Sequence, residues 1–345
     1  MKKKREEQSH SVARIAFTSC LFVAICFLCF FTSVNQINLH HVMKQSASAL
    51  FFTNNLQMPP AACDTSEAQN PSSPPPAFRL LIGILTRPDQ YRLRNLLRLV
   101  YRTQMPVAAE IDVKFVFCNL NKDDQKTLVA LEIMYYDDII ILNCTENMNN
   151  GKTYTYFSSL SYMFSGTRNS SGSSSRPYDY VMKADDDIYI RLGPLVEALN
   201  PLPREDLYYG FTIPCREMNP VNHYMSGMGY VLSWDLVEWI QSSDIPKNHT
   251  DGPEDKVLGE WLQMGARGKN RYNAKPAMYD YPIDVERNKC ERELSPDTIA
   301  VHRLKSQEKW IKTLRYFNAT QRLKPSRFYH VPQSLGDYIH PYSFN

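Results

Sequence analysis

From Phe78 onward the chain alternates short, uninterrupted apolar runs with longer stretches in which apolar residues recur every three or four positions. "FRLLIGIL" (78–85) reads as a buried strand. "RPDQYRLRNLLRLVYRTQ" (87–104) follows, with Leu93, Leu96, Leu97 and Val100 on one helical face and Pro88 near its start. "DVKFVFC" (112–118) is a strand, "QKTLVALEIMY" (125–135) a helix and "DIIIL" (138–142) a strand. "KTYTYFSSLSYMF" (152–164) is a helix and "YDYVMKA" (178–184) a strand. Strands alternating with helices predict an α/β fold, a Rossmann-like central sheet of parallel βαβ units flanked by helices. In such sheets ligands gather at the carboxyl ends of the strands. "SGTRNSSGSSSRP" (165–177) predicts a surface loop without chemistry of its own.

The first 77 residues follow a different pattern. Residues 1–14 are basic and predict a cytosolic tail. "IAFTSCLFVAICFLCFFTSV", residues 15–34, contains no charge. A helix of about 20 residues spans roughly 30 Å, the thickness of a bilayer core. The run exceeds the apolar core of a cleaved signal peptide. Lys2, Lys3, Lys4, Arg5 and Arg14 precede it, so the expected topology is a single-pass type II signal anchor with the remaining chain outside the cytosol. Residues 35–77 are rich in Pro, Ser and Ala and predict a stem. The head is then residues 78–345.

Composition narrows the function. The net charge of +3, from 39 basic and 36 acidic residues, gives no argument for nucleic-acid binding. Sequons at Asn143, Asn169, Asn248 and Asn318 are candidate glycosylation sites, with Asn143 expected to be the most buried. Of the eight cysteines, Cys63, Cys118, Cys144, Cys215 and Cys290 lie beyond the anchor. Cys118 and Cys144 each end a predicted strand and can be neighbours in a sheet; the connectivity is left open.

The chemistry concentrates in "YVMKADDDIYI", residues 180–190. Adjacent carboxylates at Asp185, Asp186 and Asp187 repel one another and resist burial. A cation, a partner base or water at the strand end must relieve that repulsion. Carboxylate oxygens are hard ligands for Mg²⁺ or Mn²⁺, and residues i and i+2 of an extended segment point the same way, so Asp185 and Asp187 can share an ion.

Further words surround this one: "RNLLRLVY" from Arg94, "LEIMYYDDI" from Leu131, "GKTYTYF" from Gly151, "YMSGMGYVLSWDLVEWI" from Tyr224, "PEDKVLGEWL" from Pro253 and "IAVHRLKSQEKW" from Ile299. In this order, over roughly residues 78–317, the sequence resembles the β1,3-galactosyltransferase and Fringe-like family of type II Golgi glycosyltransferases. The resemblance implies a GT-A fold, a UDP-sugar donor, a glycan or glycoprotein acceptor, a Mn²⁺ cofactor and inversion at the sugar carbon. It implies Asp185, Asp187 and His302 as metal ligands; one nitrogen among oxygens favours Mn²⁺ over Mg²⁺. It places Thr86, Arg87, Arg94, Lys152, Lys183, Asp186, Gly227 and Gly229 on the nucleotide-sugar side, the lysines toward phosphate or ribose and the glycines for close backbone approach. Asp255 matches the position of the base that deprotonates the acceptor. Pro253 and Glu254 before it mark a helix N-terminus, where the dipole favours negative charge.

Three features depart from the family pattern. Tyr101 replaces a Trp, Lys256 replaces an aliphatic residue, and the segment between Gly210 and Tyr224 is compact. The expected activity is transfer of a hexose, galactose first, in β1,3 linkage at the Golgi membrane. The rivals are transfer of N-acetylglucosamine or another UDP-sugar, and a silent lumenal binding or scaffold protein.

Overall fold

The run Arg79–Leu85 forms β1, and its alternation decides the layering. Leu80, Ile82 and Ile84 enter one apolar cluster, while Leu81 and Leu85 enter a second on the opposite face. A strand buried on both faces reads as a continuous apolar run, which is why β1 has no polar position after Arg79. The computed structural model of the chain describes residues 75–105, 107–164, 176–282 and 289–321. All lie in the second of two units of the chain, residues 73–345. The expected tail and anchor at 1–34, the stem up to residue 74, Cys63 and Asn169 lie outside the described residues. Among the described residues no helix is long and apolar enough to cross a membrane.

After β1 come α1 (Tyr91–Arg102), β2 (Glu110–Cys118), α2 (Asp123–Tyr136), β3 (Ile139–Leu142), α3 (Lys152–Phe164) and β4 (Tyr180–Asp185). β5 (Tyr189–Ile190), α4 (Leu192–Leu199), β6 (Leu207–Ile213), β7 (Tyr224–Ser233), α5 (Trp234–Ser242), α6 (Asp244–Asn248) and α7 (Glu254–Met264) follow. The described part closes with β8 (Asn270–Asn273), β9 (Met278–Asp280), β10 (Ala300–His302) and α8 (Gln307–Tyr316). The central sheet has seven strands in the order β3-β2-β1-β4-β7-β6-β8, and β5-β10-β9 form a small second sheet.

The expected all-parallel sheet is corrected here. β1 runs parallel to β2 and β4, and β6 parallel to β8, but β7 is antiparallel to both β4 and β6. One reversed strand makes the sheet mixed. The reversal has a use: the start of β7 lies at the same rim as the end of β4, since Ala184 pairs with Gly229. Side chains of α1, α4 and α8 cover one face, and those of α3, α5 and α7 the other. Burying each large aliphatic side chain contributes roughly 1.5–3 kcal/mol.

The helix expected over 87–104 begins later, at Tyr91. The cause is Arg94, which is fully buried and donates to the carbonyls of Arg87 at 2.6 Å and Pro88 at 2.9 Å. Those bonds hold residues 87–90 as a turn. The same guanidinium grips Glu132 of α2 at 2.6 and 2.9 Å, and Arg98 pairs with both Glu132 and Asp138. Tyr101, at the position of the family's Trp, is buried and donates to the Ile188 carbonyl at 3.2 Å. Disulfides join Cys118 to Cys144 and Cys215 to Cys290.

Glu132 ties α1 to α2. Burial disfavours its charge, but the hydrogen bonds from Arg94 and Arg98 prevail and hold its pKa below the ordinary glutamate value. Glu132→Ala strands the Arg94 charge in the interior and is expected to cost about 3–5 kcal/mol in denaturant unfolding. Because the folded-state pKa is lowered, the wild-type contribution is complete above the ordinary glutamate range and is lost as pH falls through the lowered value. Unfolding curves recorded on acidification should therefore converge for wild type and variant; a gap that persists at low pH contradicts the assignment.

Candidate active site

β4 delivers the acidic triplet to the rim, where Asp186 and Asp187 form a turn before β5. The turn sends the three carboxylates to different partners, which relieves their repulsion. Asp185 Oδ1 accepts from Lys183 Nζ at 2.7 Å. Asp186 Oδ2 accepts from Thr86 Oγ1 at 2.6 Å. Asp187 Oδ1 lies 3.0 Å from His302 Nε2, which is also 3.5 Å from Asp185 Oδ2. Pairing of β10 with β5, Val301 opposite Tyr189, carries the histidine to this point.

Donor atoms of Asp185, Asp187 and His302 all lie within 4.8 Å of one another. Two carboxylates and one imidazole are a chemically apt set for a divalent cation of the Mn²⁺ kind. The electrostatics agree. Burial disfavours the charge on His302, yet hydrogen bonding to Asp185, Asp187 and Asp280 pushes its pKa up to about 11. Burial likewise opposes ionisation of Asp185, but Lys183 and His302 bring it down to about 2. Asp186 goes the other way: burial, with Asp187 and Asp185 alongside, raises its pKa despite Thr86. The carboxylates favour positive charge beside them, which Lys183 and His302 supply.

A cleft of ≈ 1180 Å³ opens over this rim. Its lining includes the triplet and His302 together with Thr86, Arg87 and Lys152. Pockets for drug-sized ligands usually measure about 300–1,000 Å³, so the space suits a nucleotide-sugar. Lys152 is almost wholly buried; it donates to the Thr86 carbonyl at 2.7 Å and forms a short ion pair with Glu146. Glu146 is held in turn by the Cys118 N–H at 2.8 Å.

Four of the residues expected on the nucleotide-sugar side occupy other places. Arg94 spends its donors on Glu132 and two carbonyls, as above. Lys183 is fully buried, and its ammonium donates to Asp185, to Glu254 Oε1 at 2.7 Å and to the Gly227 carbonyl at 2.5 Å. An ammonium has three donors, so none remains for phosphate. Gly227 and Gly229 are packing positions. A Cβ on Gly227 would stand 2.5 Å from Glu254 Oε1, and one on Gly229 would stand 2.8 Å from Met182 Cε. None of these four lines the cleft.

The expected helix N-terminus is present: Pro253 caps α7, and Glu254 and Asp255 occupy its first turn. Asp255 Oδ2 accepts from the Gly227 N–H at 3.0 Å and is not in the cleft lining. Glu254 also accepts from Tyr230 at 2.9 Å, and burial raises its pKa against the pull of Lys183. Asp185, Lys183, Glu254 and Gly227 thus link the acidic rim to the strand and helix that hold Asp255. Of the sequons, Asn143 is exposed rather than buried, since it lies past the end of β3; Asn248 is exposed and Asn318 half-buried. Glu254, Glu146 and Asp280 were not legible as site residues, because no spacing pattern marks them.

A family model described as galactosyltransferase matches residues 92–223, which include the acidic triplet. The chain is 25% identical over 309 residues to "Beta-1,3-galactosyltransferase pvg3" of Schizosaccharomyces pombe, covering 76% of this chain and 80% of that one. The chain is thus similar to galactosyltransferases over its acidic rim and the strands around it. It is also 23% identical over 218 residues to "Hydroxyproline O-galactosyltransferase GALT2" of Arabidopsis thaliana, a match spanning 58% of this chain and 30% of the plant protein. Among solved structures, the galactosyltransferase LgtC, in complex with donor and acceptor sugar analogues, overlaps with a TM-score of 0.40 at 12% identity, covering 76% of this chain and 100% of that one. Asp255 and His302 lie beyond the residues that the family model matches.

The close approach at Gly227 is testable. Gly227→Ala should force Glu254 off Lys183 and destabilise the protein by about 1–3 kcal/mol, as overpacking does. A thermal unfolding midpoint equal to that of wild type would show that Glu254 moves without penalty.

Proposed function

We propose that the chain is an inverting, divalent-cation-dependent hexosyltransferase of GT-A type. It moves galactose from a UDP-sugar to a hydroxyl of a glycan or glycoprotein in β1,3 linkage. The observation that carries this reading is the convergence of Asp185, Asp187 and His302 at the mouth of the cleft. Similarity to the galactosyltransferase family model supports the transfer chemistry, and similarity to the yeast β1,3-galactosyltransferase supports the linkage. The apolar run at 15–34 supports a type II anchor, with the head in the Golgi lumen. Two disulfides fit an oxidising compartment.

Asp185, Asp187 and His302 would hold the cation, which when bound supplies Lewis acidity toward the diphosphate oxygens. The chain's own groups do the rest. Arg87 faces the cleft beside the triplet, where phosphate oxygens need donors, while the Thr86 hydroxyl, its proton on Asp186, can accept from a ribose hydroxyl. Lys183 keeps Asp185 ionised and fixed. Asp255, oriented by the Gly227 N–H, takes the proton from the acceptor hydroxyl on the face opposite the leaving group.

The test is release of UDP from a panel of UDP-sugars by the full-length protein in detergent, with and without Mn²⁺. Cation-dependent turnover with UDP-galactose is expected, reduced to background in Asp187→Ala. Asp255→Asn should retain UDP binding while transfer falls by about 10²–10⁴-fold. Turnover with N-acetylglucosamine donors alone would reassign the sugar, and absence of both binding and turnover would leave a scaffold role. Loss of UDP binding in a stable Asp255→Asn protein would remove that residue as the base.

A further inference from the structure

An imidazole at a strand end has two freedoms that weaken it as a ligand: rotation of the ring and choice of tautomer. Both are restricted on the side of His302 that faces away from Asp187. Its Nδ1 lies 2.8 Å from Asp280 Oδ1, and the two residues are register partners of the parallel pair β10–β9. Asp280 is only 5% exposed. Its other oxygen lies 3.2 Å from an Arg303 nitrogen, so both carboxylate oxygens are engaged. Its backbone is fixed as well: the N–H donates to the Cys290 carbonyl at 2.9 Å and the carbonyl accepts from Arg292 at 3.1 Å. Cys290 is itself tied to Cys215. Arg303 reaches Glu291 at 3.3 Å.

We propose that Asp280 is a positioning residue that holds His302 for cation binding, with Arg303 balancing its charge. A carboxylate on Nδ1 keeps a proton there and fixes the ring with Nε2 facing Asp185 and Asp187, so a cation that displaces the Nε2 proton would meet a lone pair already aimed at it. Asp280 touches neither substrate nor cation; it acts through the ring. The inference rests on the cation-site reading above.

The test is titration of the full-length protein with Mn²⁺ alone, without sugar nucleotide, followed by electron paramagnetic resonance. Asp280→Asn keeps the side-chain shape and is expected to weaken Mn²⁺ binding by about 10–100-fold. The nitrogen hyperfine coupling of the bound ion should weaken with it, while the unfolding midpoint of the metal-free protein stays near wild type. Wild-type affinity and coupling in Asp280→Asn would overturn the proposal. If that variant fails to fold, Arg303→Gln carries the test, with a smaller loss of about 3–10-fold expected and no loss counting against. His302→Ala separates the two readings. If it binds Mn²⁺ like wild type, the cation-site reading itself fails; if it loses binding while Asp280→Asn does not, only the positioning role fails.

Discussion

A single ammonium group connects the two sides of the site. Lys183 lies with no exposed surface between Asp185 and Glu254, over the ring of Tyr230, with its third proton on the Gly227 carbonyl. Burying one charge alone is costly, and the partners recover that cost only when every donor is matched. Here they are matched, and burial notwithstanding, Asp185 and Glu254 raise the Lys183 pKa above its ordinary value. The ion fixes Asp185 at the rim, and through Glu254 and Gly227 it sets where α7 begins. The orientation of Asp255 is thus a consequence of a charge it does not touch.

The same device recurs around the cleft. Arg94 and Arg98 with Glu132 and Asp138 lock α1, α2 and the start of β3 together. Lys152 with Glu146 holds the Thr86 carbonyl, while the Thr86 hydroxyl holds Asp186. Glu146 accepts from the Cys118 N–H, and the Cys118–Cys144 bridge ties the chain two residues before it to the end of β2. Arg94, Lys152 and Lys183 turn out to be struts, each ending on a residue that faces the cleft or supports one. The groups left for a ligand lie at the surface of this framework, among them the triplet, His302, Arg87, Arg92 and Lys305.

What the sequence disclosed follows from the range of the interactions. The strands β1 to β4 and the helices between them rest on local periodicity, and they were readable. So were the acidic turn, the Pro253 start of α7 and the nearness of Cys118 to Cys144, all of which depend on neighbours or on strand ends. The reversal of β7 was not, since an apolar strand looks alike in either direction. Arg94 and Lys183 read as nucleotide-sugar ligands because their counterions, Glu132 and Glu254, lie far along the chain. Asp280 was silent for the same reason: its role exists only once β9 pairs with β10.

The small sheet that brings His302 to Asp187 has a bearing on how the protein matures. Synthesis completes the seven strands of the main sheet by Asn273, well before the ribosome adds the last strand of the satellite, β10. Domains generally begin to fold from the N-terminal side as they emerge. The carboxylates therefore exist for a period without their imidazole, and the nascent chain cannot assemble a full donor set until its closing segment has arrived.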